Sequence, residues 1–142
     1  MRKLFVFLQC ELPTLQAFCW SVLSGVLGTL ILSGFLFSIM RMQTLSILLP
    51  LVVGFNAAIS GYMLVERYGE PINHKKTWGA IAGALVAVLT VTSVNMLAIR
   101  MVGLFLLSGT QCLAALLIGT GSGWSGGALA VKYRQLKAEF PV

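Results

Sequence analysis

Ionisable side chains are scarce in this chain. Its 142 residues include ten basic residues, four acids and one histidine. The four acids are spread along the chain at Glu11, Glu66, Glu70 and Glu139. No two of them have the paired arrangement of a glycosidase or two-metal site, and Pro71 disrupts any helical alignment of Glu70 with His74. The sequence therefore argues against an enzyme.

Cysteine and histidine are too few for a metal centre. Cys10, Cys19 and Cys112 form no CxxC pair, and with a single histidine they supply no ligand set for zinc. The segment 121–126 matches GxGxxG, but a dinucleotide-binding loop follows a strand, whereas this segment follows an apolar run typical of a membrane helix. We expect neither a metal nor another cofactor.

Long runs without charge are what the chain has in abundance. About 20 apolar residues, at 1.5 Å per residue, cross a bilayer core roughly 30 Å thick. Hydrophobic residues make up 58% of the chain and the mean hydropathy is +0.92, which is far from soluble domains. The runs predict spans at about residues 12–40, 43–65, 77–99 and 101–121, with a tight reversal at Arg100. The predicted fold is a single all-α membrane domain of four transmembrane helices, arranged as two helical hairpins.

Basic residues gather on one side of this four-span arrangement. Eight of the ten precede span one, follow span four or lie between spans two and three: Arg2, Lys3, Arg67, Lys75, Lys76, Lys132, Arg134 and Lys137. Only Arg41 and Arg100 fall on the other side. Because Lys and Arg in short loops stay in the cytoplasm, the loop 66–76, the basic tail 132–142 and both termini are predicted to be cytoplasmic. The lipid bilayer and its anionic headgroups then account for the net charge of +6, and no nucleic-acid partner is expected.

Small residues recur every four positions in three spans, which is the spacing that lets helix backbones approach closely in lipid. The positions are Ser21, Gly25, Thr29 and Ser33 in span one, Gly79 and Gly83 in span three, and Gly119 and Gly123 in span four. One interpretation is that these ridges only pack the four helices together. The other is that a ridge faces outward and receives another membrane protein or a second copy, and the long span-one ridge is the strongest candidate. The spacing leaves open whether span four continues through its later glycines.

Three amides lie within the apolar runs. Asn56 and Gln111 are near the middle of spans two and four, and Asn95 is toward the outer end of span three. A mid-membrane amide needs a hydrogen-bonding partner. We expect Asn56 and Gln111 to bond to each other, with a substrate contact as the alternative.

The region between spans two and three carries a family resemblance. Residues 57–59, 62–69 and 71, followed by a return to apolar residues, resemble the central loop of small uncharacterised four-span bacterial inner-membrane proteins. The basic segment 132–137 is similar too. The resemblance implies a bacterial inner (cytoplasmic) membrane and transfers no catalytic or binding residue.

Together these features predict a non-enzymatic protein that acts through helix contacts with another membrane protein. An immunity protein against a pore-forming toxin and an accessory subunit of a membrane complex both fit. The alternative is a small oligomeric transporter or channel. It would not be coupled through an intramembrane carboxylate, because no ionisable residue falls well inside a span.

Overall fold

The computed structural model describes residues 2–67 and 75–139, without the side chains of 2–14, Met42 and Lys75. The described chain is helical apart from short connections, and it contains no strand. Its elements are α1 (Arg2–Ile39), α2 (Met42–Arg67), α3 (Lys75–Val102) and α4 (Gly109–Glu139). All four helices are long and apolar enough to cross a membrane. The prediction of an all-α protein with four helices able to span a membrane is confirmed.

Helices α2 and α3 form the centre of the bundle. They contact each other, and each also contacts α1 and α4. In the described part of the chain the backbones of α1 and α4 do not approach each other closely, so the two helices lie on different sides of the central pair. Two apolar clusters fill the spaces between helices, one around Val22, Leu64 and Val86 and the other around Leu49, Val94 and Leu107.

Helices that follow one another in the chain run in opposite directions. Trp78 at the start of α3 packs edge-on against Phe18 of α1, with ring centroids 6.0 Å apart, and Gly79 lies against the second half of α4. Hence the α1–α2 and α3–α4 connections lie at the same end of the bundle. We call this the two-arginine end, because Arg41 and Arg100 are there. The opposite end is called the basic end.

The reversal between α3 and α4 does not lie at Arg100, where the sequence predicted it. Helix α3 continues to Val102, and Gly103 ends it with a φ of +73°, a left-handed conformation that glycine adopts readily. The Gly103 N–H donates to the Ile99 carbonyl at 3.0 Å, as in a glycine C-cap. Arg100 therefore belongs to the last helical turn, where a positive charge complements the helix dipole.

Helix α4 begins and ends later than the predicted span 101–121. Ser108 and Gln111 form a capping box, in which the Ser108 N–H donates to Gln111 Oε1 at 2.9 Å and the Gln111 N–H donates to Ser108 Oγ at 3.4 Å. From this cap the helix continues through the glycine-rich segment to Glu139, so part of the predicted tail, 132–139, is helical. Its 31 residues span about 46 Å, which exceeds the thickness of a bilayer core.

Candidate functional site: helix interfaces and buried polar groups

The glycine ridges of α3 and α4 meet face to face. A Cβ atom on Gly79 would lie 2.6 Å from the Gly123 carbonyl oxygen, and one on Gly83 would lie 2.8 Å from Gly123 Cα. A Cβ on Gly119 would lie 2.7 Å from the Cβ of Ala87. The absence of side chains is what lets the two backbones come so close. The four glycines singled out in spans three and four therefore form one interface inside the chain.

Helix α4 packs against α2 with a second face. A Cβ on Gly54 would lie 2.5 Å from Ile118 Cγ2, and one on Gly126 would lie 3.0 Å from Ala58 Cα. Gly126 was not predicted as a site residue, although small residues recur every four positions at Ser122, Gly126 and Ala130. The GxGxxG-like segment 121–126 is helical, and its Gly123 and Gly126 serve helix packing.

The small-residue ridge of α1 faces the inside of the bundle. Ser21, Gly25, Thr29 and Ser33 are all buried. A Cβ on Gly25 would lie 2.8 Å from Val86 Cγ2 in α3. The interpretation of this ridge as an outward-facing surface is therefore wrong. Helix α1 can approach α2 and α3 closely only through its small-residue face. Its large side chains therefore point away from the bundle.

Two serines join α1 to α2 within this ridge. Ser60 Oγ donates to the Ser21 carbonyl at 2.9 Å, Ser21 Oγ donates to the Ser60 carbonyl, and the two hydroxyl oxygens are 3.1 Å apart. Both side chains are buried. Ser60 was not predicted as a site residue, because nothing in the sequence distinguishes it from other small residues of α2. Since lipid tails cannot replace these hydrogen bonds, the pair defines the register of α1 on α2.

The amides of Asn56 and Gln111 do not bond to each other. Asn56 Nδ2 donates to the Val52 carbonyl at 3.0 Å, and Asn56 Oδ1 would lie 2.6 Å from a Cβ placed on Gly28 of α1. Gln111 lies in the first turn of α4, and its Nε2 donates to Ser46 Oγ at 3.4 Å. Ser46 precedes Asn56 by about three helical turns, or about 15 Å. The predicted bond is wrong because the late start of α4 places Gln111 at the two-arginine end.

Asn95 forms a hydrogen bond with the connection between α3 and α4. Its Oδ1 accepts a hydrogen bond from the Leu107 N–H at 3.1 Å, and its Nδ2 donates to Cys112 Sγ at 3.8 Å. Leu107 is itself buried, so the bond holds an apolar side chain of the connection in the core. The sequence located Asn95 near the end of its span but could not name these partners.

A cavity of about 140 Å³ opens between α1, α2 and α3 toward the two-arginine end. Its walls are almost wholly apolar and include Leu30, Gly34, Phe37, Leu45, Leu97 and Met101. Ser33 also lines it, with a buried hydroxyl that has no hydrogen-bond partner in the described structure. We call this cavity the α1–α3 groove.

Aromatic and basic side chains cluster at the basic end. Lys76 Nζ lies 5.8 Å from the centroid of the Trp124 ring, and the Arg134 guanidinium donates to the Glu66 carbonyl. Tryptophan and basic residues at one level are typical of a membrane–water interface. His74 and Glu70 of the predicted loop lie outside the described residues.

No group of three potential metal ligands comes together among the described residues. Cys19 is exposed and Cys112 is half-buried, both as free thiols, while the side chain of Cys10 lies outside the described part of the structure.

No protein-family model, curated protein or solved structure matches the chain.

Proposed function

We propose that the chain is a non-enzymatic integral protein of the bacterial inner membrane, which acts by helix–helix contact with another membrane protein. It takes one of two forms, an accessory subunit of a membrane complex or an immunity protein against a pore-forming toxin. The observation that carries the proposal is the one-sided attachment of α1.

Helix α1 is fastened to the bundle by one narrow face. It has the smallest buried fraction of the four helices and contacts only α2 and α3. Its opposite face carries large apolar side chains every four residues, at Leu23, Leu27, Ile31, Phe35 and Ile39. We call this row the α1 outer ridge. In helix–helix contacts, ridges of side chains four residues apart pack into the grooves of the facing helix, and we assign the α1 outer ridge to the partner on this basis.

We also propose that both termini are cytoplasmic. Eight of the ten basic residues belong by chain position to the basic end, and only Arg41 and Arg100 belong to the other. Basic residues close to membrane spans are retained in the cytoplasm. This charge distribution supports a cytoplasmic basic end.

Site-specific photo-crosslinking in native membranes tests the partner surface. A benzophenone amino acid replaces Ile31 or Phe35, which are 71% and 62% exposed on the α1 outer ridge. The matched controls are Leu117 and Leu113 on α4, which are 74% and 62% exposed. We expect both α1 positions, and neither α4 position, to form an adduct with the same second membrane protein. Mass spectrometry of that adduct then separates a complex subunit from a toxin.

Four results would contradict the proposal. Protein adducts formed only from α4, or equally from all four positions, would remove the α1 outer ridge as the contact surface. The absence of any protein adduct at natural abundance would remove the partner altogether. An adduct of twice the mass of the chain would identify a homo-oligomer and favour the transporter or channel.

A further inference from the structure

Two arginines lie at the same end of the bundle as the α1–α3 groove. Arg41 is in the connection between α1 and α2, with the groove residues Phe37 and Leu45 about one turn away on either side. Arg100 is in the last turn of α3, one position before the groove residue Met101 in the chain. Both arginines are exposed, and neither guanidinium pairs with another side chain in the described structure. An apolar cavity and two unpaired positive charges thus share one end of the bundle.

Acidic residues are absent from the sequence around these arginines. The chain contains no Asp or Glu between Glu11 and Glu66, or between Glu70 and Glu139. These two acid-free stretches include the whole two-arginine end. Because Arg41 and Arg100 lie where apolar helices end, we expect their charges at the level of lipid headgroups, and the sequence supplies no counter-charge there.

We propose that the groove and the two arginines together bind an anionic phospholipid. One acyl chain lies along the apolar walls of the groove, and the headgroup phosphate contacts Arg41 and Arg100. A cavity of about 150 Å³ can hold a benzene-sized apolar group, so the 140 Å³ groove has room for a short stretch of hydrocarbon chain. Guanidinium groups bind phosphate oxygens through paired N–H donors.

The two halves of the site point to one ligand. Free phosphate would pair the arginines but leave the apolar groove unfilled, whereas a zwitterionic lipid would fill the groove and leave positive charge uncompensated. An anionic phospholipid fills the groove and brings a net negative charge to the two arginines. This inference does not depend on the proposed partner of the α1 outer ridge.

Native mass spectrometry of the full chain in detergent tests the charged half of the site. Phosphatidylglycerol is titrated against phosphatidylcholine with the same acyl chains, and we expect phosphatidylglycerol to bind more tightly. One basic residue near an anionic headgroup changes affinity roughly fivefold, so Arg41→Gln combined with Arg100→Gln should lower this preference by roughly 25-fold. The control, Lys132→Gln with Lys137→Gln, removes two exposed charges at the basic end and should keep the preference.

A second pair of variants tests the apolar half. Gly34 lines the groove and has no atom within 4 Å of an added Cβ, so Gly34→Leu fills the groove without a clash at the Cβ. It should reduce the occupancy of both lipids. Gly121 is equally open but lies on α4 outside the groove, so Gly121→Leu should leave both occupancies unchanged. Thermal unfolding of each variant monitors the fold.

Several outcomes would overturn the inference. These are equal affinity for the two lipids, loss of the preference in the lysine variant rather than the arginine variant, and full lipid occupancy in a folded Gly34→Leu chain. Displacement of phosphatidylglycerol by inorganic phosphate alone would indicate an anion site without a chain-binding groove, and would overturn it too. Should Gly34→Leu fail to fold, the arginine and lysine variants decide the outcome.

Discussion

Four polar side chains of this protein join helices or close a helix end. Ser21 and Ser60 link α1 to α2, Asn95 holds the α3–α4 connection, and Gln111 caps α4. Hydrogen bonds between membrane helices are typically worth about 0.6 to 2 kcal/mol each, because the separated helices in lipid find other partners. Such bonds stabilise the bundle modestly, but they select one register among many that apolar contact alone would allow.

Gly25 provides a test of how α1 is attached. Gly25→Leu should destabilise the bundle by about 1 to 3 kcal/mol, because the first added carbon already meets Val86 and Ser60 in a packed interior. We expect a lower midpoint of thermal unfolding in detergent and a lower abundance in membranes.

The matched control for this change is on the same helix. Gly34→Leu adds an identical side chain where no atom lies within 4 Å of the Cβ, so its unfolding midpoint should stay close to that of the unchanged protein. If both variants unfold at the original temperature, α1 does not pack through its small-residue ridge.

At the scale of elements, α4 depends on its neighbours. Glycine in a helix interior costs roughly 1 kcal/mol relative to alanine, and α4 contains several. Close packing compensates for this cost of glycine, because Gly119 and Gly123 face α3 while Gly126 faces α2. The glycines that weaken this helix in isolation are the ones that let it approach two partners at once.

A comparison of Gly121 with Gly123 in α4 separates the cost of glycine in a helix from the gain of close packing. Gly123→Ala should destabilise the bundle by about 1 to 3 kcal/mol, because the added methyl group meets the backbone of Gly83. Gly121→Ala places the same methyl group in open space, so it should be neutral or stabilising by up to about 1 kcal/mol. Unfolding of both purified variants measures the difference. Equal effects would mean that helix propensity, rather than close packing, governs α4.

At the scale of the whole molecule, the bundle has two chemically different ends. The basic end holds the Lys76–Trp124 contact and the bond from Arg134 to Glu66. The other end has Arg41 and Arg100 as its only charges in the sequence. This asymmetry underlies both the proposed orientation and the proposed lipid site.

Cysteine labelling of intact cells tests the orientation. In a chain whose three native cysteines are replaced by alanine, Leu104→Cys in the exposed α3–α4 connection should react with a membrane-impermeant maleimide. Gln135→Cys, which is exposed at the basic end, should react only after the membrane is permeabilised. Labelling of Gln135→Cys in sealed cells would reverse the proposed orientation.

Much of the fold was accessible from the sequence, and less of the site. The number of helices and the start of α2 within one residue followed from runs of uncharged residues. The start of α4 did not, because Arg100 looked like a boundary while the actual signals were Gly103 and the Ser108–Gln111 capping box. Those signals are local and were readable in principle. Because the predicted start of α4 was too early, Gln111 was predicted near the middle of its span, whereas it lies in the first turn of α4.

The sequence by itself determined that four apolar helices exist and that their positive charge is unevenly distributed. Both properties depend on the composition of whole segments. A segment crosses the membrane, and is oriented in it, according to its length, hydrophobicity and flanking charge, whichever way the helices pack together. Only the tertiary structure decided that the Gly25 ridge is internal, that Ser60 is the partner of Ser21, and that the groove opens at the same end of the bundle as the two arginines. These are relations between helices far apart in the chain, and they depend on which face each helix turns to its neighbours.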